Sequence, residues 1–328
     1  IPGPKEFTRG GPKSIATLLN QMGTEEAEQY LEQIANEDAE LYAAIKRYFL
    51  AFEDLLEMPE HTMKAFWRNQ DIDVEDLAKA CKSYDQDVIN NLFNQEGYGH
   101  LGYPGSGSFK DFYLEVSYGQ FSPVATVSQW FTAPNNHNYY GDSQNNSSQR
   151  TRQLVRAIVD SAEAAGMDWA QFDNDGNGSV EGLTIVHAGP GAEQGDLSNI
   201  WSHRWNLGNL AVQYDGVWIS DYCINPEIQS GNISAIGVIC HEFGHILGLP
   251  DLYDTDYSSS GAGKLALMAS GSWGTAGNTS WYPSAMNAWS KLEMGWGNHV
   301  LLNTDLQNIN IEQSFSNNTI YRINNQND

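Results

Sequence analysis

The chain of 328 residues is poor in cysteine, in basic residues and in long apolar runs. Its three cysteines are too few for a disulfide scaffold, although one bridge remains possible. A membrane-spanning helix needs an apolar run of about 18 residues. No run in this sequence approaches that length, so we expect no transmembrane helix. Lys and Arg number 17 against 41 Asp and Glu, which gives a formal charge of -24. Such a surface repels phosphate backbones and anionic lipid, so neither nucleic acid nor a membrane is an expected partner.

Apolar and aromatic residues are frequent enough, at 41% and 12%, to build a folded core. Residues 1–95 show helical spacing without a convincing strand and predict a helical N-terminal region. Strand and helix patterns then mix, which predicts an α+β domain over residues 96–297, with a strand at 124–133 and a helix at 150–166. Residues 298–328 predict a β-rich extension cut from a longer protein. Because the chain begins at Ile1, we expect that a preceding stretch has been removed.

The segment His241-Glu242-Phe243-Gly244-His245 carries the strongest chemical signal. Histidines four residues apart lie on one face of a helix, where both can bind one zinc ion. Zinc lowers the pKa of a bound water to about 7, and Glu242 beside that face can take its proton. The water can then attack a peptide carbonyl, and Glu242 can pass the proton to the leaving amine. The alternative is a surface helix with two unrelated histidines.

The residues after this helix extend the pattern to HExxHxxGxxD. Gly248 is expected to end the helix with a positive φ, so that Asp251 returns to the metal as a third ligand. This pattern resembles the metzincin zinc proteases, with Asp in place of their usual third His. Met268, in the turn KLALMASGSWG, matches the methionine turn that forms a hydrophobic floor under their zinc ligands. Glu293 on a late helix is an alternative third ligand.

Seven segments follow one another between about residues 97 and 297: VSYGQ, WFTAP, FDNDGNG, IVHAGPGAEQG, IWSHRW, HEFGHILGLPDLYD and MASGSWG. Together they resemble the immune inhibitor A family of secreted bacterial metallopeptidases. The resemblance implies a metzincin-like fold with a mixed sheet and an active-site helix, a catalytic zinc ion, structural calcium and extracellular proteolysis. It also implies His241, His245 and Asp251 as ligands and Glu242 as the base. Residues 1–95 depart from the family pattern and are interpreted as a prosegment or an insertion.

The segment DNDGNGSVEG places oxygen-bearing side chains at alternate positions, and Gly178 permits a tight turn. Oxygens at this spacing converge on one hard cation, so the segment predicts calcium. The predicted ligands are Asp173, Asp175, Asn177, the Ser179 carbonyl and Glu181. An EF-hand would need Glu in place of Thr184, so this loop is not an EF-hand. The alternatives are an Asx-turn loop without metal here, and a second cation site at Asp254 and Asp256.

The sequence leaves two interpretations open for Tyr282, for the pair Cys223 and Cys240, and for Cys81. Tyr282 can stabilise the oxyanion of the tetrahedral intermediate, or it can simply pack. A Cys223–Cys240 disulfide is geometrically conceivable, and two free thiols are the alternative. Cys81 can act as a thiolate that blocks zinc in a latent form, or as an idle buried thiol.

The sequence thus predicts a secreted zinc endopeptidase that is monomeric and acts on protein or peptide substrates. A catalytically silent zinc and calcium module for surface binding would keep the fold, but it would not need Glu242. A zinc amidase acting on a non-peptide substrate would share the metal chemistry.

Overall fold

The computed structural model describes residues 15, 16, 19, 24–46, 84–100, 102–143, 147–256, 258–275, 279–303, 307–314 and 316–323. The chain divides into two compact units, Ile1–Ala80 and Cys81–Asp328. The proposed boundaries near residues 96 and 298, and the role of residues 1–95 as prosegment or insertion, stay predictions.

The first unit contains two helices, α1 (Thr24–Glu37) and α2 (Ala39–Lys46), with a break at Asp38. The Asp38 side chain accepts a hydrogen bond of 2.9 Å from the backbone N–H of Leu41, which caps the start of α2. The buried apolar side chains described in this unit are Ala16, Leu19, Ala27, Leu31 and Ile45. The helical character predicted for this region is seen over residues 24–46, whereas residues 47–83 lie outside the described residues.

The second unit mixes helices and strands, in agreement with an α+β class. Its helices are α3 (Gln86–Asn94), α4 (Phe109–Val116), α5 (His137–Tyr140), α6 (Ser147–Ala164), α7 (Ile236–Ile246) and α8 (Ala288–Glu293). Its strands are β1 (Thr184–Pro190), β2 (His203–Asn206), β3 (Val212–Tyr214), β4 (Val217–Ile219), β5 (Asp221–Gln229), β6 (Asn232–Ile233), β7 (Asn298–Leu302) and β8 (Thr319–Ile323). No helix within the described ranges is long and apolar enough to cross a membrane.

A mixed sheet centred on β5 organises the second unit. Strand β1 pairs with β5 in parallel, while β2 and β6 pair with it antiparallel. Successive side chains of a strand point to opposite faces. Ile185 on β1 accordingly joins the core that contains the α6 residues, and its neighbour Val186 packs on the core that contains the α7 residues. The sheet therefore separates two apolar cores, one with α6 and one with α7.

Residues 124–133 do not form the strand that their alternating pattern predicts. Side-chain amides take the place of a partner strand there. Asn94 accepts a hydrogen bond of 2.8 Å from the Ala125 N–H and donates one of 2.9 Å to the Ala125 carbonyl. The Gln86 amide donates to the Val127 carbonyl over 2.7 Å. Burial alternates strictly only over residues 124–127, so the alternating residue pattern did not produce a strand ladder here.

Candidate metal centre

Helix α7 carries the paired histidines and ends in a hydrogen-bonded glycine turn. The Leu249 N–H donates to the Gly244 carbonyl and the Gly248 N–H to the His245 carbonyl, both over 3.0 Å, which is the Schellman pattern. The φ of Gly248 is +94°, the positive value that the sequence predicts. Glycine adopts this backbone conformation without a Cβ penalty. The reversal brings Asp251 back beside the helix.

His241, His245 and Asp251 meet at one point. Asp251 Oδ1 lies 3.2 Å from the Nε2 atom of each histidine. On the other side of the rings, His241 Nδ1 bonds to the Leu267 carbonyl over 2.9 Å and His245 Nδ1 to the Leu249 carbonyl over 2.7 Å. Because a carbonyl oxygen only accepts, Nδ1 carries a proton in both rings, so the neutral form of each imidazole turns a lone pair at Nε2 toward Asp251.

With both rings in that neutral form, three lone-pair atoms face one another. Asp251 Oδ1 is buried and has no hydrogen-bond partner within the described part of the chain. Buried polar atoms without a partner are rare, because leaving them unsatisfied costs free energy. A cation among the three atoms removes that cost, and their spacing suits a tetrahedral ion with bonds of about 2.0–2.2 Å.

The pKa shifts around this cluster distinguish Asp251, the candidate ligand, from Glu242, the candidate base. Burial tends to raise the pKa of Asp251, yet His241, His245 and Tyr253 hold that pKa well below its usual range. Burial by itself lowers the pKa of His245. The interaction of this histidine with Asp251 outweighs burial and raises that pKa. Glu242 is only 8% exposed, and burial raises its pKa although the two histidines oppose the rise. Asp251 thus stays ionised, and Glu242 is shifted toward accepting a proton.

The turn at residues 266–268 contacts the residues that form the cluster. Its Leu267 carbonyl orients His241, as described above, and its Met268 carbonyl accepts a hydrogen bond of 2.6 Å from the Leu252 N–H. The Met268 side chain is buried directly against Gly244, where an added Cβ would collide with Sδ and come within 3.1 Å of Cε. One turn therefore contacts the first histidine, the helix backbone and the segment that carries the third ligand.

Several other predicted residues do not join the cluster. The Tyr282 hydroxyl donates to the Pro104 carbonyl over 3.1 Å, and its part in oxyanion stabilisation stays a prediction. Glu293 is exposed on α8. The described residues form two groups of metal-ligating side chains, and neither contains Glu293, Asp254 or Asp256.

The conceivable Cys223–Cys240 disulfide is not present, because both cysteines are buried free thiols. Cys223 lies near Glu242, whose charge helps burial to raise the thiol pKa. Cys240 precedes Glu242 by two helical positions and packs in the aromatic core, where the Tyr113 hydroxyl bonds to its carbonyl over 2.7 Å. Cys81 lies outside the described residues.

Residues 173–181 form the second group of metal-ligating side chains. Asp173, Asp175 and Glu181 each offer an oxygen within 4.8 Å of the others. The Glu181 carboxylate folds the loop by accepting hydrogen bonds from the backbone N–H groups of Asn174 and Asp175 at 2.8–2.9 Å. Burial works against ionisation, but these bonds lower the pKa of Glu181. Asp173 Oδ1 is buried without a hydrogen-bond partner in the described ranges.

The remaining predicted calcium ligands are held by other contacts of the loop. The Asn177 amide nitrogen donates to Asp175 Oδ2 over 2.9 Å. Ser179 pairs with Trp218 in an isolated bridge, and the Trp218 N–H donates to the Gly178 carbonyl over 2.8 Å. The structure therefore brings three of the five predicted ligands together through their side chains.

Three residues of the metal centre escaped the sequence reasoning. Leu249 and Leu267 act through backbone carbonyls, which no sequence pattern reveals. The Tyr253 hydroxyl donates to Asp251 Oδ2 over 2.9 Å. The sequence signal for this role was the position of Tyr253 two residues after Asp251, in the segment PDLYD.

This ligand geometry defines a class, the metallopeptidases with a helix-borne histidine pair. Residues 49–299 match the family described as immune inhibitor A peptidase M6, catalytic domain, and the chain belongs to this family. The match begins inside the region predicted to be the helical N-terminal part.

Two curated relatives extend the comparison. The chain is 35% identical over 201 residues to Immune inhibitor A of Bacillus thuringiensis subsp. alesti, which covers 51% of the chain and 28% of that protein. It is 29% identical over 315 residues to the pre-pro-metalloprotease PrtV of Vibrio cholerae serotype O1 (strain M66-2), which covers 85% of the chain and 32% of that protein. The chain therefore spans only 28–32% of the length of these relatives.

Proposed function

We propose that this chain is the catalytic region of a secreted, zinc-dependent endopeptidase. The observation that carries the proposal is the convergence of His241 Nε2, His245 Nε2 and Asp251 Oδ1, while the Nδ1 atom of each histidine is bonded to a backbone carbonyl. Family membership supports peptide bonds as the target and an extracellular location. A monomeric state stays a prediction.

The donor set fits zinc better than calcium or magnesium. Imidazole nitrogens suit zinc, whereas the two alkaline-earth ions prefer oxygen ligands. Three protein ligands with an open fourth position are typical of catalytic zinc sites, and closed four-ligand sites are structural. When bound there, zinc would act as a Lewis acid and bring the pKa of a water near neutrality.

Glu242 would serve as the general base and general acid of the reaction. Its buried carboxylate lies beside the ligand pair, and its raised pKa favours uptake of a proton from the attacking water. The same group can then donate that proton to the nitrogen of the leaving amine, as a general acid. The Nδ1 bonds of His241 and His245 fix the orientation of both rings.

We predict that the full chain binds one zinc ion between the two histidines, since three acceptor atoms converge there. Anomalous scattering at the zinc edge should show a peak in contact with His241, His245 and Asp251. His241→Gln should abolish this peak, because an amide is a poor zinc ligand, while the control His299→Gln on β7 should keep it. A map without a peak between the histidines would contradict the zinc assignment.

A cleavage assay separates the three candidate functions. Casein cleavage that a zinc chelator stops, and that added zinc restores, supports the endopeptidase. Zinc binding without hydrolysis of casein, peptides or small amides would favour a surface-binding module. Hydrolysis confined to small amides would favour an amidase.

We further propose a structural calcium ion in the loop of residues 173–181, held by Asp173, Asp175 and Glu181 with oxygens of Asn177 and Ser179. The orphaned Asp173 Oδ1 and the convergence of three carboxylates support this site. Coordination by oxygen alone suits calcium.

Calcium should therefore stabilise the folded chain. At a free concentration of about 100 times Kd, a ligand specific to the folded state adds about 2.7 kcal/mol. We expect a calcium-selective chelator, with zinc supplied, to lower the Tm of the wild type and of Asp87→Asn, which loses an exposed carboxylate on α3. Asp173→Asn should lose most of this calcium response. An equal Tm with and without the chelator would rule out the calcium site.

A further inference from the structure

The Tyr253 hydroxyl contacts one oxygen of the Asp251 carboxylate, and the other oxygen faces the histidines. The phenol donates to Oδ2 over 2.9 Å, while Oδ1 faces both histidine Nε2 atoms at 3.2 Å. We propose that Tyr253 is a positioning residue that holds Asp251 as a metal ligand through one oxygen. The inference rests on the proposed zinc centre and deepens it, because it assigns the control of the third ligand.

Asp251 needs such control more than the histidines do. It lies outside α7, beyond the Gly248 turn, and its side chain is 32% exposed against 10% and 17% for His241 and His245. The last torsion of an aspartate is broad, so an unrestrained carboxylate can exchange its oxygens or present both. A hydrogen bond to Oδ2 fixes this torsion and leaves only Oδ1 for the metal. Binding through one oxygen keeps the fourth coordination position open.

The backbone around Tyr253 sets the reach of its hydroxyl. Leu252, its neighbour, donates to the Met268 carbonyl over 2.6 Å and accepts from the Ala262 N–H over 2.8 Å. Gly261 approaches the Tyr253 backbone so closely that an added Cβ would lie 2.9 Å from its Cα. The ring itself is 45% exposed. The anchored backbone and the hydrogen bond to Asp251 Oδ2 therefore help to orient this half-exposed ring.

The test is the zinc affinity of the full chain, measured by competition with a chromogenic chelator. Loss of a group that orients a metal ligand lowers metal affinity about 10–100-fold, and we expect this loss for Tyr253→Phe. Tyr214→Phe is the matched control, because the Tyr214 hydroxyl also donates to a carboxylate, that of Asp160, over 2.8 Å. It should bind zinc like the wild type. The visible spectrum of the cobalt-substituted Tyr253→Phe chain should also show an added ligand, as Oδ2 becomes free to bind.

The outcomes separate this inference from the proposed function. Equal zinc affinity for Tyr253→Phe and the wild type overturns the positioning role, as does an equal loss in Tyr214→Phe. A wild type that binds zinc but cleaves no peptide contradicts the endopeptidase alone. A wild type that binds no zinc overturns both. The Tm of each metal-free variant shows that the chain is folded, and removing one exposed hydroxyl should leave it near the wild-type value.

Discussion

Glu242→Gln should keep its zinc and lose most of its peptidase activity, with kcat/KM lower by about 10²–10⁴-fold. Glutamine has nearly the shape of glutamate, so packing at this 8% exposed position is preserved. The amide cannot take a proton, however, and the attacking water then lacks its base. A fluorescent peptide assay, with zinc content measured on the same samples, checks both parts of the prediction.

The control is Glu312→Gln, the same change at an exposed position near β8. It should match the wild type in activity and zinc content. Full activity of Glu242→Gln would remove Glu242 from the proton transfer. Loss of zinc along with activity would mean instead that Glu242 helps to hold the metal.

Gly244→Ala should destabilise the metal-free chain by about 3 kcal/mol, the upper part of the range for overpacked cores. Gly244 lies inside α7, where alanine normally stabilises a helix by roughly 0.5–1 kcal/mol. Here the new methyl group would collide with Met268 Sδ, and Met268 is only 1% exposed and has little room to move. The sign of the change in the free energy of unfolding, measured by urea denaturation, therefore distinguishes tight packing from helix propensity.

A double-mutant cycle with Met268→Ala identifies the colliding partner. Met268→Ala alone should destabilise the chain by about 2–5 kcal/mol, because it leaves a cavity. With Gly244→Ala added, the methyl group occupies part of that space, so the double variant should be much less destabilised than the sum of the two. Strict additivity would show that Met268 does not restrict Gly244. A more stable Gly244→Ala chain would exclude the close contact altogether.

Residue spacing predicted the histidine pair of the metal cluster, and the resemblance to metzincins favoured Asp251 over Glu293 as the third ligand. His241 and His245 share a helix face by periodicity, and the positive φ of Gly248 returns Asp251 to them. These are local relations that the sequence encodes directly. Tyr253 was missed because its role depends on where an anchored loop turns its hydroxyl, which is a tertiary relation.

The strand predicted at residues 124–133 was wrong for a tertiary reason too. Burial alternates strictly only over residues 124–127, and the amides of Asn94 and Gln86 satisfy the backbone in place of a strand. The sequence left the Cys223–Cys240 bridge open, and both cysteines are buried free thiols. An alternating pattern indicates which side of a segment is buried, and it does not identify the partner that satisfies the backbone.

The Nδ1 bonds of both histidines end on main-chain carbonyls, those of Leu267 and Leu249. Where a side-chain carboxylate does this task, a single codon change can erase it. A carbonyl persists through every substitution that keeps the local backbone path. The ring orientation at this centre is thus buffered against sequence drift at positions 249 and 267, and selection on it falls on the residues that shape the backbone, such as Gly248.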